Sequence, residues 1–168
     1  EAVGLGLESG NQRVLRALKG PGINVEDGYG AVAKLHKNRI SAHASFVIGY
    51  PDETEDEIMD TLHFIKESDL DFIHIYNLTP FPGTPAWNQA KESGWVTDNM
   101  DWKRLGVDYG SNQDPIVVSD LGKPTIDRLY RKFRRERLFR AARRVWFNPF
   151  FPDILRAVGN KALSRLHL

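Results

Sequence analysis

Three short apolar segments alternate with helical segments along the first hundred residues, and this alternation constrains the fold more than any other feature. The strand-like segments are residues 3–7, 40–48 and 72–78. Residues 11–19, 24–38 and 54–67 between them carry apolar side chains at helical spacing. Strands that alternate with helices indicate βαβ units, so we predict an α/β fold with a parallel sheet. The first strand, apolar and bounded by glycines, is predicted to be buried on both faces.

Residues that start and stop helices support this division of the chain. Asn24 is expected to cap the second helix, and Thr54 with Glu57 has the capping-box pattern for the third. Three prolines after residue 79 exclude further strand, and a fourth helix is predicted from Thr84 or Pro85 to Ser93. These signals are local and place the boundaries of the elements.

Alternation along the second strand predicts two different faces. Ala42, Ala44, Phe46 and Ile48 form a uniformly apolar face that suits packing under helices. The opposite face carries His43, Ser45, Val47 and Gly49, a mixture of polar and small residues that suits the neighbourhood of a ligand. On the third strand, His74 and Tyr76 share a face and are expected to join this second set.

Polar or glycine-rich residues follow each predicted strand. They are Glu8-Ser9-Gly10, the stretch that begins at Gly49, and the stretch that contains Thr79. In parallel α/β sheets and barrels, ligands bind beyond the carboxyl ends of the strands. The sequence therefore predicts a binding site at this edge.

Charge is distributed unevenly along the chain. Residues 1–100 hold 8 basic and 15 acidic side chains, whereas residues 101–168 hold 15 basic and 7 acidic ones. We predict an irregular linker at 106–124 and a basic helical extension at 125–168, with a helix from 125 to about 147 and a shorter one from about 152 to 166. Ile126, Leu129, Tyr130 and Phe133 form one apolar stripe, which Leu138, Ala142, Val145 and Trp146 are expected to continue.

Three interpretations of the arginines in this extension stay open. They can form the solvated face of a helix packed on the sheet, a nucleic-acid surface, or a surface for a membrane or an anionic substrate such as a carboxylated tetrapyrrole. The chain has no cysteine, and therefore no disulfide and no thiolate metal site of its own. No apolar run approaches the ~18 residues of a membrane span, and we expect a cytoplasmic protein.

The stretches "GLESGN", "FVIGYPDETEDEI" and "LTPFPGTPAW" occur in this order, followed by "KESGWVTD" and "DW". Together they resemble the later half of the radical S-adenosylmethionine (SAM) domain over residues 1 to about 105. The likeness is greatest to its cobalamin-associated branch of iron–sulfur oxidoreductases, which includes the anaerobic magnesium-protoporphyrin monomethyl ester cyclase. The resemblance implies a partial (β/α)₆ TIM barrel in which the three predicted strands are the fourth, fifth and sixth.

The resemblance also implies roles for particular residues. Glu8 and Ser9 match the strand end that binds SAM, Val47, Ile48 and Gly49 match the stretch that holds its adenine, and Thr79 matches the end of the sixth strand. His43, Ser45, His74 and Tyr76 would face SAM or the substrate. Two positions depart from the family pattern: Ser45 replaces a glycine and Asp52 a glutamate, while Glu53 matches the glutamate of the branch's "P-G-E-T". From the residues alone, Glu8 can instead cap a helix, Gly49 can serve a turn, and both histidines can be core residues.

The implied activity is reductive cleavage of SAM at a four-iron four-sulfur cluster, which forms a 5′-deoxyadenosyl radical, followed most directly by cobalamin-associated methyl transfer. A ring-forming oxidation of the cyclase type is the alternative. The cluster cysteines and a cobalamin domain are expected upstream of Glu1, so the chain is interpreted as a piece that is inactive alone. Its expected partners are the rest of the parent chain and a small-molecule substrate.

Two interpretations of other classes remain beside the enzyme. The chain can be a non-catalytic module that binds nucleic acid through Arg134, Arg135 and Arg137. It can also be only a structural half of a barrel, which predicts self-association through its open sheet edge.

Overall fold

A three-stranded parallel sheet organises the part of the chain that the computed structural model describes, residues 1–106 and 115–146. The strands are β1 (Ala2–Glu8), β2 (Ser41–Ile48) and β3 (Phe72–Asn77). They pair in the order β1-β2-β3, both pairs parallel. The predicted α/β class and parallel sheet are therefore confirmed.

The helices connect and follow these strands. Helices α1 (Gln12–Lys19) and α2 (Val25–Lys37) join β1 to β2, and α3 (Glu55–Glu67) joins β2 to β3. Helix α4 (Pro85–Glu92), a 3-10 turn at Trp102–Leu105 and α5 (Gly122–Trp146) come after β3. Each predicted helix within the described residues is present, with ends that differ by a few residues at most.

The predicted helix caps are formed. The Glu57 amide donates to Thr54 Oγ1 at 3.3 Å, and the Thr54 amide donates to the Glu57 carboxylate at 2.9 Å. The Asn24 amide donates to the Asp27 carboxylate at 2.9 Å, which closes the start of α2. Thr84 accepts from the Trp87 amide at the start of α4. These bonds, reciprocal for Thr54 and Glu57, satisfy backbone amides that have no partner inside the helix.

The apolar face of β2 lies in the core, as its alternation predicted. Every second residue of the strand is buried, and α2, α3 and α5 complete the core cluster around this face. The buried apolar strand residues on this face are Ala42, Ala44, Phe46, Ile48, Ile73 and Ile75. The other face of the sheet, which carries His43 and His74, is only partly buried.

The prediction that the first strand is buried on both faces is wrong. Val3 is 39% exposed, Ala2 and Gly4 are also exposed, and only Leu5 and Leu7 pack against the core. The reason is that β1 lies at the edge of the sheet, where it pairs with a single strand among the described residues. Its outer side meets the Lys19 ammonium, which donates to the Gly6 carbonyl at 2.5 Å.

Helix α5 packs against the sheet through the predicted stripe, and it begins at Gly122 rather than 125. Ile126, Leu129, Tyr130 and Phe133 are all buried in the core. The predicted continuation through Leu138 and Ala142 is wrong, because both are exposed. In this part of α5, the side chain that points towards the rest of the fold is that of Arg140.

The guanidinium of Arg140 binds the carboxyl end of α3. It donates to the Leu70 carbonyl at 2.7 Å and also to the carbonyls of Ile65 and Ser68. The end of α3 thus gains a charged donor where helix carbonyls lack partners. The side chains of Val145 and Trp146, and the second helix predicted at 152–166, lie outside the described part of the chain.

The stretch 115–121 before α5 has neither helix nor strand, yet it is packed. Ile116 and Val118 are buried in a second cluster with Trp87 of α4. The Asp120 amide donates to the Pro51 carbonyl at 2.9 Å. This stretch therefore approaches the carboxyl ends of β2 and β3, where the candidate site lies.

Candidate functional site

The carboxyl ends of the three strands lie at one edge of the sheet, because all strands run parallel. Glu8 ends β1, Gly49 follows β2, and Thr79 comes shortly after β3. Ile48, also predicted to bind a cofactor, is only 1% exposed, and its side chain belongs to the core. A ligand at this edge would therefore meet Ile48 through its backbone.

An apolar cleft of about 330 Å³ opens beside the ends of β2 and β3. It brings together three residues that the sequence singled out, Val47, Tyr76 and Thr79. Asn77, Leu78 and Phe81 complete its lining. An apolar cleft of this size with a few polar groups is typical of small-molecule sites.

The turn after β2 requires glycine at position 49 for two reasons. The φ angle of Gly49 is +83°, a conformation that residues with a Cβ rarely adopt. A Cβ at this position would also lie 2.8 Å from Asn77 Oδ1. The close neighbour of this glycine in the structure is thus the Asn77 side chain, and the binding of a ligand by Gly49 stays a prediction.

A buried carboxyl group holds this turn together. Glu53 is 2% exposed, and its Oε2 accepts from the amides of Gly49, at 2.7 Å, and Tyr50, at 3.1 Å. Burial raises the pKa of Glu53 to about 7, against the lowering effect of the two amides. Glu57 raises this pKa further, and Arg13 lowers it.

Asn77 connects the end of β3 to the stretch before α5. Its amide nitrogen donates to the Leu78 carbonyl at 3.0 Å and to the Ile116 carbonyl at 2.8 Å. Asn77 Oδ1 and Glu53 Oε1 are both buried and have no hydrogen-bond partner among the described residues. Gly49 lies between these two side chains, so the ends of β2 and β3 meet in a compact polar cluster.

Sequence reasoning missed Asn77 and assigned no site role to Glu53. The sequence contained a signal for Asn77, because every second residue of β3 faces the core and Asn77 follows Ile73 and Ile75 in that alternation. A polar residue at such a position needs internal partners. For Glu53 the signal was weaker, because it lies in a run of acidic residues that looks solvated.

Glu8 occupies an unusual backbone conformation at the end of β1. Its φ is +64°, and the pairing of β1 with β2 shifts register between Gly6 and Glu8. The carboxylate lies 3.8 Å from the Lys19 ammonium, and its side chain is 25% exposed. Glu8 is not the cap of α1, because Asn11 accepts from the first amides of that helix. Its carboxylate is partly exposed and lies beside Gly6 and Lys19, not in the lining of the cleft that contains Val47 and Thr79.

Ser9 is placed differently. It is buried, its hydroxyl lies 3.2 Å from Thr61 Oγ1, and it accepts from the Asn11 amide at 3.1 Å. It lines a smaller cleft of about 130 Å³, between β1 and the helices α1 and α2, together with Ile23. The structure thus separates Ser9 from the cleft that contains Val47 and Thr79.

The remaining predicted residues form a row on the partly open face of the sheet. Register places His43 beside Phe72, Ser45 beside His74, and Val47 beside Tyr76. The rings of His74 and Tyr76 are stacked, with centroids 6.1 Å apart. The Nε2 atom of His43 is buried without a hydrogen-bond partner in the described part of the chain. This face therefore offers imidazole, hydroxyl and phenol groups that the core does not use.

The described residues contain no cluster of three or more His, Asp or Glu side chains with the arrangement of a metal site. Within the same residues, no helix is long and apolar enough to cross a membrane.

No model of a known protein family matches the chain, but individual proteins do. An uncharacterised methyltransferase of Pyrococcus horikoshii is 32% identical over 128 residues, 76% of this chain and 26% of the relative. The bacteriochlorophyllide d C-12(1)-methyltransferase of Chlorobaculum tepidum is 29% identical over 62% of this chain and 22% of that enzyme.

A further relative is the tRNA-2-methylthio-N(6)-dimethylallyladenosine synthase of Vibrio campbellii, 37% identical over 49% of this chain and 18% of its own length. The chain thus spans about a quarter or less of the length of these relatives. Together they support the relationship to radical SAM enzymes that the motifs predicted.

Proposed function

We propose that this chain is part of a radical SAM enzyme and that β1, β2 and β3 are the fourth, fifth and sixth strands of its (β/α)₆ barrel. The observation that carries this proposal is the cleft at the carboxyl ends of β2 and β3. It contains Val47, Tyr76 and Thr79 and adjoins the turn held by Glu53. The partly open face of the sheet would then line the barrel interior.

The residues of the cleft fit the adenosyl part of SAM. Val47, Leu78 and Phe81 provide apolar contacts for a planar base, and Tyr76 provides an aromatic one. The Thr79 hydroxyl donates to the Asn77 carbonyl at 3.3 Å, which leaves its oxygen free to accept. The partly exposed carboxylate of Glu8 suits a ribose hydroxyl or the ammonium group of the cofactor. In this proposal Ser9 supports the strand end through Thr61.

The iron–sulfur cluster does not fit this chain alone. The sequence contains no cysteine, so the thiolates for a four-iron cluster would come from residues outside it. The cofactors, when bound, supply the radical that starts the reaction. The role of this chain is to bind and orient the adenosyl group. His43, Ser45 and His74 would face the substrate.

The reaction that we propose is methyl transfer to a small-molecule substrate. Two of the relatives are named as methyltransferases, one of them acting on a bacteriochlorophyllide. The cobalamin that the sequence motifs suggest would be bound outside this chain. Because the chain spans only a small share of its relatives, the substrate and the activity are proposals for the whole protein.

The proposal is tested on the cluster-reconstituted parent protein by anaerobic assay of 5′-deoxyadenosine formed from SAM. Val47→Phe would fill the cleft, and we expect it to raise the KM for SAM roughly tenfold or more, the effect of losing about 1.4 kcal/mol of binding. Ile23→Phe is the matched control, because it puts the same ring beside the smaller cleft near Ser9.

Two outcomes would contradict the proposal separately. If the wild-type protein with a complete cluster forms no 5′-deoxyadenosine, the enzyme class is wrong. If Ile23→Phe raises the KM and Val47→Phe leaves it unchanged, the class holds and the cofactor lies in the other cleft.

A further inference from the structure

The outward side of α5 combines exposed apolar and cationic side chains. Leu138 is 58% exposed and Phe139 is 64% exposed, the highest values among the large apolar residues that the structure describes. At about 100° per residue, Arg131, Arg134 and Arg135 lie with these two residues within an arc of about 140°. This arc, the outer face of α5, lies opposite the buried stripe.

Some cations of α5 bind other parts of the described chain, whereas three arginines of the outer face do not. Arg128 pairs with Glu55 at 2.5 Å, and Arg140 binds Glu136 and the end of α3. Arg131, Arg134 and Arg135 are exposed, and none of them forms a hydrogen bond or ion pair within the described residues.

Glu136 is the single acidic residue between 128 and 143, and it already pairs with Arg140. Asp127, one turn before Arg131, pairs with Lys123 at 3.3 Å. The three arginines of the outer face therefore have no ion-pair partner among the described residues, and an anionic partner complements them.

We propose that the outer face of α5 binds the surface of an anionic phospholipid bilayer. Arg131, Arg134 and Arg135 would contact the headgroups, and Leu138 and Phe139 would enter the boundary with the acyl chains. A helix that lies in the interface in this way combines cations with large apolar residues. Nucleic acid would also attract the arginines, but its phosphates offer no apolar environment for Leu138. An anionic bilayer provides negative charge for the arginines and an apolar environment for Leu138 and Phe139.

A single fluorescent label tests this geometry, because the chain has no cysteine of its own. Ala142→Cys places an environment-sensitive dye on the outer face, at an exposed alanine that is neither an anchor nor a cation. Ala33→Cys is the matched control at an exposed alanine of α2. With vesicles of equal parts phosphatidylcholine and phosphatidylglycerol, we expect a blue shift at 142 and none at 33. Pure phosphatidylcholine should give a much smaller shift.

Substitutions then separate the two halves of the face in vesicle co-sedimentation. Near an anionic surface each arginine contributes about a factor of five in binding, so the triple variant R131Q/R134Q/R135Q should lose about a hundredfold. The control K34Q/K37Q/K66Q removes three exposed cations elsewhere and should lose little. The variant L138S/F139S keeps all charges and should lose about tenfold or more. Circular dichroism confirms that each variant is folded.

Three results would overturn the proposal. One is the absence of binding to the anionic vesicles at low salt. Another is a label at 142 that is already shielded without vesicles, which would mean that the chain or a second copy covers the face. The third is tight binding of a single-stranded RNA that depends on the three arginines while L138S/F139S has no effect on vesicles. None of these measurements involves SAM, so their failure leaves the proposed enzyme class untouched.

Discussion

The carboxyl group of Glu53 holds the backbone of Gly49, since Glu53 Oε2 lies 2.7 Å from the Gly49 amide nitrogen. The same oxygen accepts from the Tyr50 amide. This contact fixes the turn that ends β2, and Asn77 closes the other side of Gly49. The geometry of the candidate site thus depends on a buried acid that does not line the cleft itself.

The pH dependence of stability should report this buried acid. Its pKa is raised from 4.5 to about 7, so the folded chain keeps the proton over a range in which the unfolded chain has released it. The stabilisation is fully present below pH 4.5, decreases as the pH rises to about 7, and is absent above. Over this range the free energy of unfolding should fall by up to ~3 kcal/mol, because a shift of one pKa unit corresponds to about 1.36 kcal/mol.

Urea unfolding of the wild type and Glu53→Gln between pH 4 and 8.5 measures this difference. The glutamine stays neutral, so the free energy of unfolding of the wild type should fall relative to the variant as the pH rises. Glu92→Gln, at an exposed position of α4, should follow the wild type throughout. Parallel curves for the wild type and Glu53→Gln would show that Glu53 is ionised in the folded chain.

Gly49→Ala should destabilise the fold by about 1–3 kcal/mol, because it combines a positive φ with the approach of Asn77 Oδ1. Gly30→Ala is a matched control within α2, where an added Cβ meets nothing within 4 Å. That change should stabilise the chain by ~0.5–1 kcal/mol. Thermal unfolding of the two variants measures both effects. A Gly49→Ala variant as stable as the wild type would contradict the described turn.

Arg140→Ala should cost about 1–3 kcal/mol, because the carbonyls at the end of α3 lose a charged donor in a half-buried position. Arg135→Ala removes the same side chain from an exposed position of the same helix and should change stability by less than ~0.5 kcal/mol. Equal effects of the two substitutions on the urea midpoint would show that Arg140 does not bind α3 in solution.

The open edge of β1 should make the isolated chain self-associate. Ala2, Val3 and Gly4 are exposed there, and no strand among the described residues pairs with that side. We expect light scattering to show a mass that grows with concentration, and Val3→Lys to reduce it. Ile23→Lys is the control, because Ile23 is equally exposed, at 39%, and lies outside the strands. A monomer at high concentration would refute this expectation.

Local signals predicted most of the fold. The faces of β2 followed from alternation, the start of α3 from Thr54 and Glu57, and the buried stripe of α5 from the spacing of Ile126 and Phe133. These features depend on residues within a turn or two of each other. The continuation of that stripe through Leu138 failed, because 100° per residue places Leu138 on the side of α5 opposite Ile126 and Phe133.

The sequence by itself determined the order of strands and helices, the two faces of β2 and the edge at which Val47, Gly49 and Thr79 lie, because periodicity and helix capping act over short distances. Only the tertiary structure decided that β1 is exposed, that Ser9 points away from the cleft, and that Glu53 is buried beside Gly49. Each of these features depends on contacts between segments that are distant in the chain. Arg140 is a further case, since its guanidinium binds carbonyls that are 70 to 75 residues away. Burial of this kind is set by which surfaces meet, and no short stretch of residues contains that information.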